Sequence, residues 1–149
     1  MKKVLLLLNI LILYILFTTK TFAAQKNYFY EGKVLFDKNK FEDSKFFFEK
    51  DIVFNPKSKR SYLYLAKIYK SKENDLEQEM KLNNVLLLDP KNDEANYMLI
   101  LLKIKQSDYK EAKKLIKKFD LICKSFCSKK SEIKDKFNKL KPENEKIEN

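Results

Sequence analysis

The chain has no histidine among its 149 residues, and only one glycine, three prolines and two cysteines. Without histidine the commonest general base and metal ligand is missing, so neither a Cys–His pair nor a Ser–His–Asp triad can be built. One glycine leaves no phosphate-cradling loop. Scarce glycine and proline also mean little turn chemistry, and the chain reads as mostly helix with short connections. Acid pairs occur at Glu42/Asp43 and Glu77/Glu79, but they lie beside lysines on amphipathic helices, as solvated faces do. No enzyme and no cofactor is expected.

Lysine and apolar side chains are what the chain has in plenty: 44% of residues are hydrophobic and the net charge is +11. That suits one modest domain able to bury a core. The amino terminus reads as an address. Met1-Lys2-Lys3 is basic, Val4–Phe17 is apolar except for Asn9 and Tyr14, and Thr18–Ala24 is short and polar. This is the pattern of a secretory signal over residues 1–23, with Thr21 and Ala23 fitting cleavage after Ala23. A retained anchor is the alternative, although the run falls short of the roughly 20 residues a spanning helix needs. No cysteine marks a lipoprotein site. The mature chain is expected to be secreted or periplasmic, without stable membrane insertion and without a nucleic-acid partner.

Removing residues 1–23 takes away Lys2, Lys3 and Lys20 and no acid, so the net charge falls from +11 to +8. Such a balance favours acidic partners through long-range attraction. The plainer account is that the lysines solvate helix faces.

A fixed period organises the rest. Tyr28, Gly32, Leu35, Phe48 and Pro56 recur 34 residues later as Tyr62, Ala66, Tyr69, Leu82 and Pro90. Within the first period an amphipathic helix over about Lys26–Lys38 leads to a turn at Asn39-Lys40. A second helix over about Phe41–Phe54 stops at Asn55-Pro56, where proline removes a donor and disfavours helix before it. Gly32 and Ala66 hold one register position, where a small side chain lets paired helices approach, and Ser44 does the same from the partner helix. A third period lacks the proline but keeps Ser107-Asp108-Tyr109 and Glu111-Ala112, with Leu99 matching Leu65. It departs at Ile100, where a small residue is expected, and at Lys103, where an apolar one is; the second departs at Gln78. These departures leave the packing angle of the third hairpin open.

A 34-residue helix-turn-helix period resembles the tetratricopeptide repeat, whose turn and helix start commonly read Gly-Asp-Tyr and Glu-Ala. The resemblance implies an all-α solenoid of antiparallel helical hairpins. Its divisions are residues 25–58, 59–92 and a degenerate 93–126, then a capping helix over 128–141 carrying Ile133, Phe137 and Leu140. A polar tail over 142–149 follows, expected to be disordered. Neither half of such a hairpin buries its apolar face alone, so stacking supplies the core.

Cys123 and Cys127 fall where the earlier repeats place their Asn-Pro and Asp-Pro connections. In a regular helix, side chains four apart have Cβ atoms roughly 5–6 Å apart, further than a disulfide prefers. A turn between helices removes that obstacle, so a disulfide replacing the missing proline is expected. Two thiols without a role, or a copper(I) or redox site, are the alternatives.

In proteins of the resembling family, ligands occupy the concave groove lined by the first helix of each repeat. The equivalent positions here are Phe29, Lys33, Phe36, Leu63, Lys67, Lys70, Tyr97 and Leu101. Lysines among aromatics suit an extended, possibly acidic peptide or protein; the asparagines of carboxylate-clamp members are not evident. The expected function is thus an extracytoplasmic adaptor that binds a peptide or protein in this groove. Phe46-Phe47-Phe48 is more apolar than one buried stripe needs, which keeps open a homo-oligomeric structural envelope protein; a Cys-x-x-x-Cys metal or redox carrier is the remote alternative.

Overall fold

The computed structural model describes residues 27–140. The expected signal over 1–23, the start of the first helix at Lys26 and the tail over 142–149 lie outside the described residues. Within them the chain forms six helices in pairs: α1 (Tyr28–Asp37), α2 (Phe41–Phe54), α3 (Lys59–Ser71), α4 (Asp75–Leu88), α5 (Asp93–Lys105) and α6 (Tyr109–Ile122). A 3-10 turn at Cys127–Lys129 then opens α7 (Lys130–Leu140). No described helix is long and apolar enough to cross a membrane.

The repeating turn chemistry explains the shared register. After each first helix, one residue takes a left-handed backbone: Asn39 (φ 57°), Glu73 (φ 55°) and Ser107 (φ 61°). That bend lets the next N–H reach back into the helix. Lys40 donates to the Leu35 carbonyl at 3.0 Å, Asn74 to Tyr69 at 3.0 Å and Asp108 to Lys103 at 2.9 Å. This is the closure that usually recruits glycine. Asn74 and Asp108 then cap the following helix, accepting from Glu77 N–H at 3.2 Å and Glu111 N–H at 3.1 Å. Asn27 does the same for α1 through Tyr30 N–H at 3.1 Å.

Asparagine tolerates the left-handed region better than glutamate or serine. Glu73→Gly and Ser107→Gly are therefore expected to stabilise the fold by about 0.5–1 kcal/mol each, and Asn39→Gly by less. Urea titration of the single variants checks the order; a loss of stability on Glu73→Gly counts against it.

Packing follows complementary volumes. An added Cβ on Gly32 would stand 2.8 Å from the Phe48 ring, and Ser44 Oγ donates to the Gly32 carbonyl at 2.9 Å. The second hairpin sets Ala66 and Leu82, both fully buried, at the same positions. The third places Ile100, fully buried, in one cluster with Ile116. The other departure, Lys103, is solved by charge. Its amine, at 14% side-chain exposure, binds Glu79 of the preceding repeat at 2.6 Å and Gln106 at 3.1 Å. Burial alone would raise the Glu79 carboxyl, but hydrogen bonds from Lys103 and Gln106 outweigh it and hold the group below its ordinary value.

Two apolar clusters result. One joins the first two hairpins around Phe48, Leu65, Ile68 and Tyr69. The other runs from Leu63 through Met98, Leu102, Leu115 and Phe119 to Ile133 and Phe137 of α7. Leu140, at helical spacing from Ile133 and Phe137, is 56% exposed.

Candidate functional site

Register decides which groove positions stay open. The fifth position of each repeat faces the following unit rather than solvent. Phe29 packs against Tyr64, ring centres 5.6 Å apart, and lies under the Arg60 guanidinium at 4.0 Å. Leu63 is buried in the cluster it shares with the third repeat. Tyr97 stacks on Phe126, and its hydroxyl donates to Glu132 of α7 at 3.0 Å. Leu63 is therefore a core residue, a correction to its expected place in the groove. Burial raises the Tyr97 hydroxyl to about 12, helped by the Glu132 carboxylate. Glu132 itself is held down at about 2 by hydrogen bonds from Lys129, Lys136 and Tyr97.

The sixth position faces backward. Met98 is buried at 5% exposure, and Tyr30, with no described repeat before it, is 64% exposed. Between them Tyr64 fills the wall between α1 and α3, a residue the sequence reading passed over. The rings of Phe29, Phe36 and Phe48 stand around it at 5.0–5.6 Å. The large side chains recurring at Tyr30, Tyr64 and Met98 were the available signal.

This ring cluster closes the first half of the groove. Lys33 is tied to Asp37, 2.6 Å from Oδ1. Lys67 is paired with Glu94 at 2.7 Å and stands over the Tyr64 ring at 4.7 Å. Phe36 packs edge-on against Phe41 and Tyr64. The expected basic centre of Lys33, Lys67 and Lys70 is thus divided.

The second half is open. Lys70 is exposed and borders a cavity of about 270 Å³ with Gln78, Met98, Leu101, Lys105 and Lys136. A neighbouring cavity of about 460 Å³ shares Leu101, Lys105 and Lys136 and adds Ile104, Tyr109 and Leu140. Together they outline a depression with an apolar floor and a rim on which Lys70, Lys105 and Lys136 stand beside Glu73 and Asp75. Lys105 is paired with Asp75 at 2.7 Å and Lys136 with Glu132 at 3.1 Å. Of the expected groove residues, Lys70 and Leu101 are the pair the structure brings together here.

The Phe46–Phe48 run also divides. Phe48 is fully buried, whereas Phe46 is 58% exposed and meets Phe47 edge-on.

At the far end the Cys123 and Cys127 sulfurs are 2.14 Å apart, within one disulfide. Cys123 ends α6 and Cys127 opens the 3-10 turn, so the bond spans a turn rather than a helix. Asp93 Oδ2 accepts the intervening N–H groups of Lys124, Ser125 and Phe126 at 2.8, 2.7 and 3.0 Å. Burial works against that carboxylate, but these backbone donors prevail and keep it below its ordinary value.

Comparisons with protein-family models and with curated protein sequences give no match. Among solved structures the chain is similar to the TPR2B domain of yeast Sti1, in its complex with pHsp70. The TM-score is 0.63 at 19% identity, covering 74% of this chain and 90% of that one. It is also similar to the Sgt2 TPR domain of Aspergillus fumigatus, at TM-score 0.63 and 15% identity, covering 82% and 87%. The chain accordingly has the fold of tetratricopeptide-repeat domains, its hairpins and closing helix stacked as an all-α solenoid.

Proposed function

We propose that the protein is an extracytoplasmic adaptor that holds an extended segment of a partner protein in the depression across its second and third repeats. The observation that carries this reading is the floor of Leu101 and Ile104 beside Lys70. The Lys70 amine has no ion pair among the described residues, with Lys105 and Lys136 already paired to Asp75 and Glu132 at the rim. Apolar floors with a few convergent charges suit a side-chain anchor flanked by carboxylates. The Sti1 domain was solved with a bound partner, which supports the use of this scaffold for binding. The signal-like pattern over residues 1–23 and the bonded cysteines support the compartment. No catalysis is assigned to the depression.

Selection of displayed random peptides on the purified protein tests the reading. Enriched peptides should combine Asp or Glu with a bulky apolar residue. Lys70→Glu with Lys136→Glu should weaken their binding by more than about tenfold, or 1.4 kcal/mol, with helical circular dichroism unchanged. Peptides that bind the double variant equally well contradict the site.

A further inference from the structure

The last turns of α2, α4 and α6 carry a feature that the groove does not use. These three helices each span 14 residues and begin 34 residues apart. Their penultimate residues are Val53, Leu87 and Leu121, which are 74%, 81% and 87% exposed. Next to them Phe54 is 67% and Leu88 36% exposed. Single exposed apolar residues are ordinary, but one at the same register position of every repeat makes a row along one edge of the solenoid.

Lysines border this row. Lys57, Lys91 and Lys124 follow the three helix ends and are exposed, and none of them takes part in an ion pair among the described residues. The neighbouring acids are engaged: Asp51 accepts from Ser61 at 2.5 Å, Asp89 pairs with Lys59 at 2.7 Å, Asp120 with Lys130 at 3.3 Å, and Asp93 accepts the backbone N–H groups of Lys124, Ser125 and Phe126.

We propose that this edge docks peripherally on an anionic lipid bilayer, with Val53, Phe54, Leu87 and Leu121 entering the headgroup region and Lys57, Lys91 and Lys124 meeting lipid phosphates. Membrane adsorption of this kind draws on buried apolar surface together with attraction to anionic lipid. Charge argues against a second copy as the occupant, because it would set like rows of lysine face to face. Shape argues for lipid over a folded protein. The apolar side chains are separated by a whole repeat and flanked by lysines, a spacing that a fluid anionic headgroup layer accommodates without a matching set of pockets. The edge belongs to the second helices and the groove to the first, so both can be occupied at once.

The chain has no tryptophan, so Leu87→Trp supplies a single fluorescent reporter at a site exposed enough to accept it. The full chain is mixed with vesicles of equimolar phosphatidylglycerol and phosphatidylcholine, and with vesicles of phosphatidylcholine alone. The expected result is a blue shift on the anionic vesicles only, quenched by brominated acyl chains and lost at high salt. Adding Val53→Ser and Leu121→Ser should abolish the shift. A reporter placed by Lys38→Trp, at the opposite end of the hairpin, should stay in water even if residues 1–23 bind the vesicle by themselves. The proposal is overturned by a position-87 reporter that stays water-exposed, or by one that shifts equally on both vesicles. A shift that appears without vesicles as the protein is concentrated also overturns it, and assigns the edge to a second copy.

Discussion

Replacing Phe48 with alanine should lower the unfolding free energy by roughly 3–5 kcal/mol, the range for deleting a fully buried aromatic ring. Phe48 has no exposed surface, stands against Gly32 and touches the rings of Phe29 and Tyr64. It therefore joins the two helices of the first hairpin and that hairpin to the second. The converse change, Gly32→Ala, pushes a methyl to 2.8 Å from the ring and is expected to cost about 1–3 kcal/mol by overpacking. Combining Gly32→Ala with Phe48→Leu copies the Ala66 and Leu82 positions of the second repeat. The pair should cost less than the sum of its single changes, since residues in contact couple. Urea titrations of the four chains measure this; strictly additive losses would show that the volumes at these positions are not complementary.

The second large effect is expected at Asp93. Its carboxylate accepts three backbone N–H groups of the Cys123–Cys127 turn, and charged acceptors make the stronger hydrogen bonds. Asp93→Ala should cost roughly 1.5–3 kcal/mol, the range for one hydrogen bond to a charged group, since partial exposure lets water replace part of what the three donors lose. Removing the disulfide should cost less than about 2 kcal/mol, because so short a loop constrains the unfolded chain little. The two changes should be less than additive, as both release the same turn. The effect depends on pH with a definite sign. Since folding lowers the Asp93 carboxyl below its ordinary value, its contribution is present above the unfolded value of about 3.9 and lost as pH falls through the folded one. The gap between wild type and Asp93→Asn should thus be full at neutral pH and close in strong acid. A gap that widens on acidification contradicts the assignment.

Much of this architecture could be read from spacing, for a physical reason. The 34-residue period is set by local chemistry: the turn at Asn39, the stop at Pro56 and the small residue at Gly32 each act within one hairpin. Helix α2 accordingly runs over Phe41–Phe54 as the spacing predicts. Contacts between repeats were harder to read. Whether Leu63 faces solvent or the next repeat depends on how successive hairpins are rotated, which no single hairpin encodes. The same rotation turns Tyr64 into the ring cluster and fills half of the expected groove. The Lys103–Glu79 pair spans neighbouring repeats, and the Asp93 clamp joins residues 31 to 33 positions apart. At Cys123 and Cys127, by contrast, placing the pair between helices was enough to anticipate their bond.

A photo-crosslinking side chain at Leu101, introduced into the protein in its native cells, is the most direct probe of the depression as a binding site. Ultraviolet irradiation should yield a discrete protein adduct from that position, diminished by Lys70→Glu and absent when the same group is placed at Glu42. No adduct from Leu101, or one that forms equally well from both positions, would contradict the account.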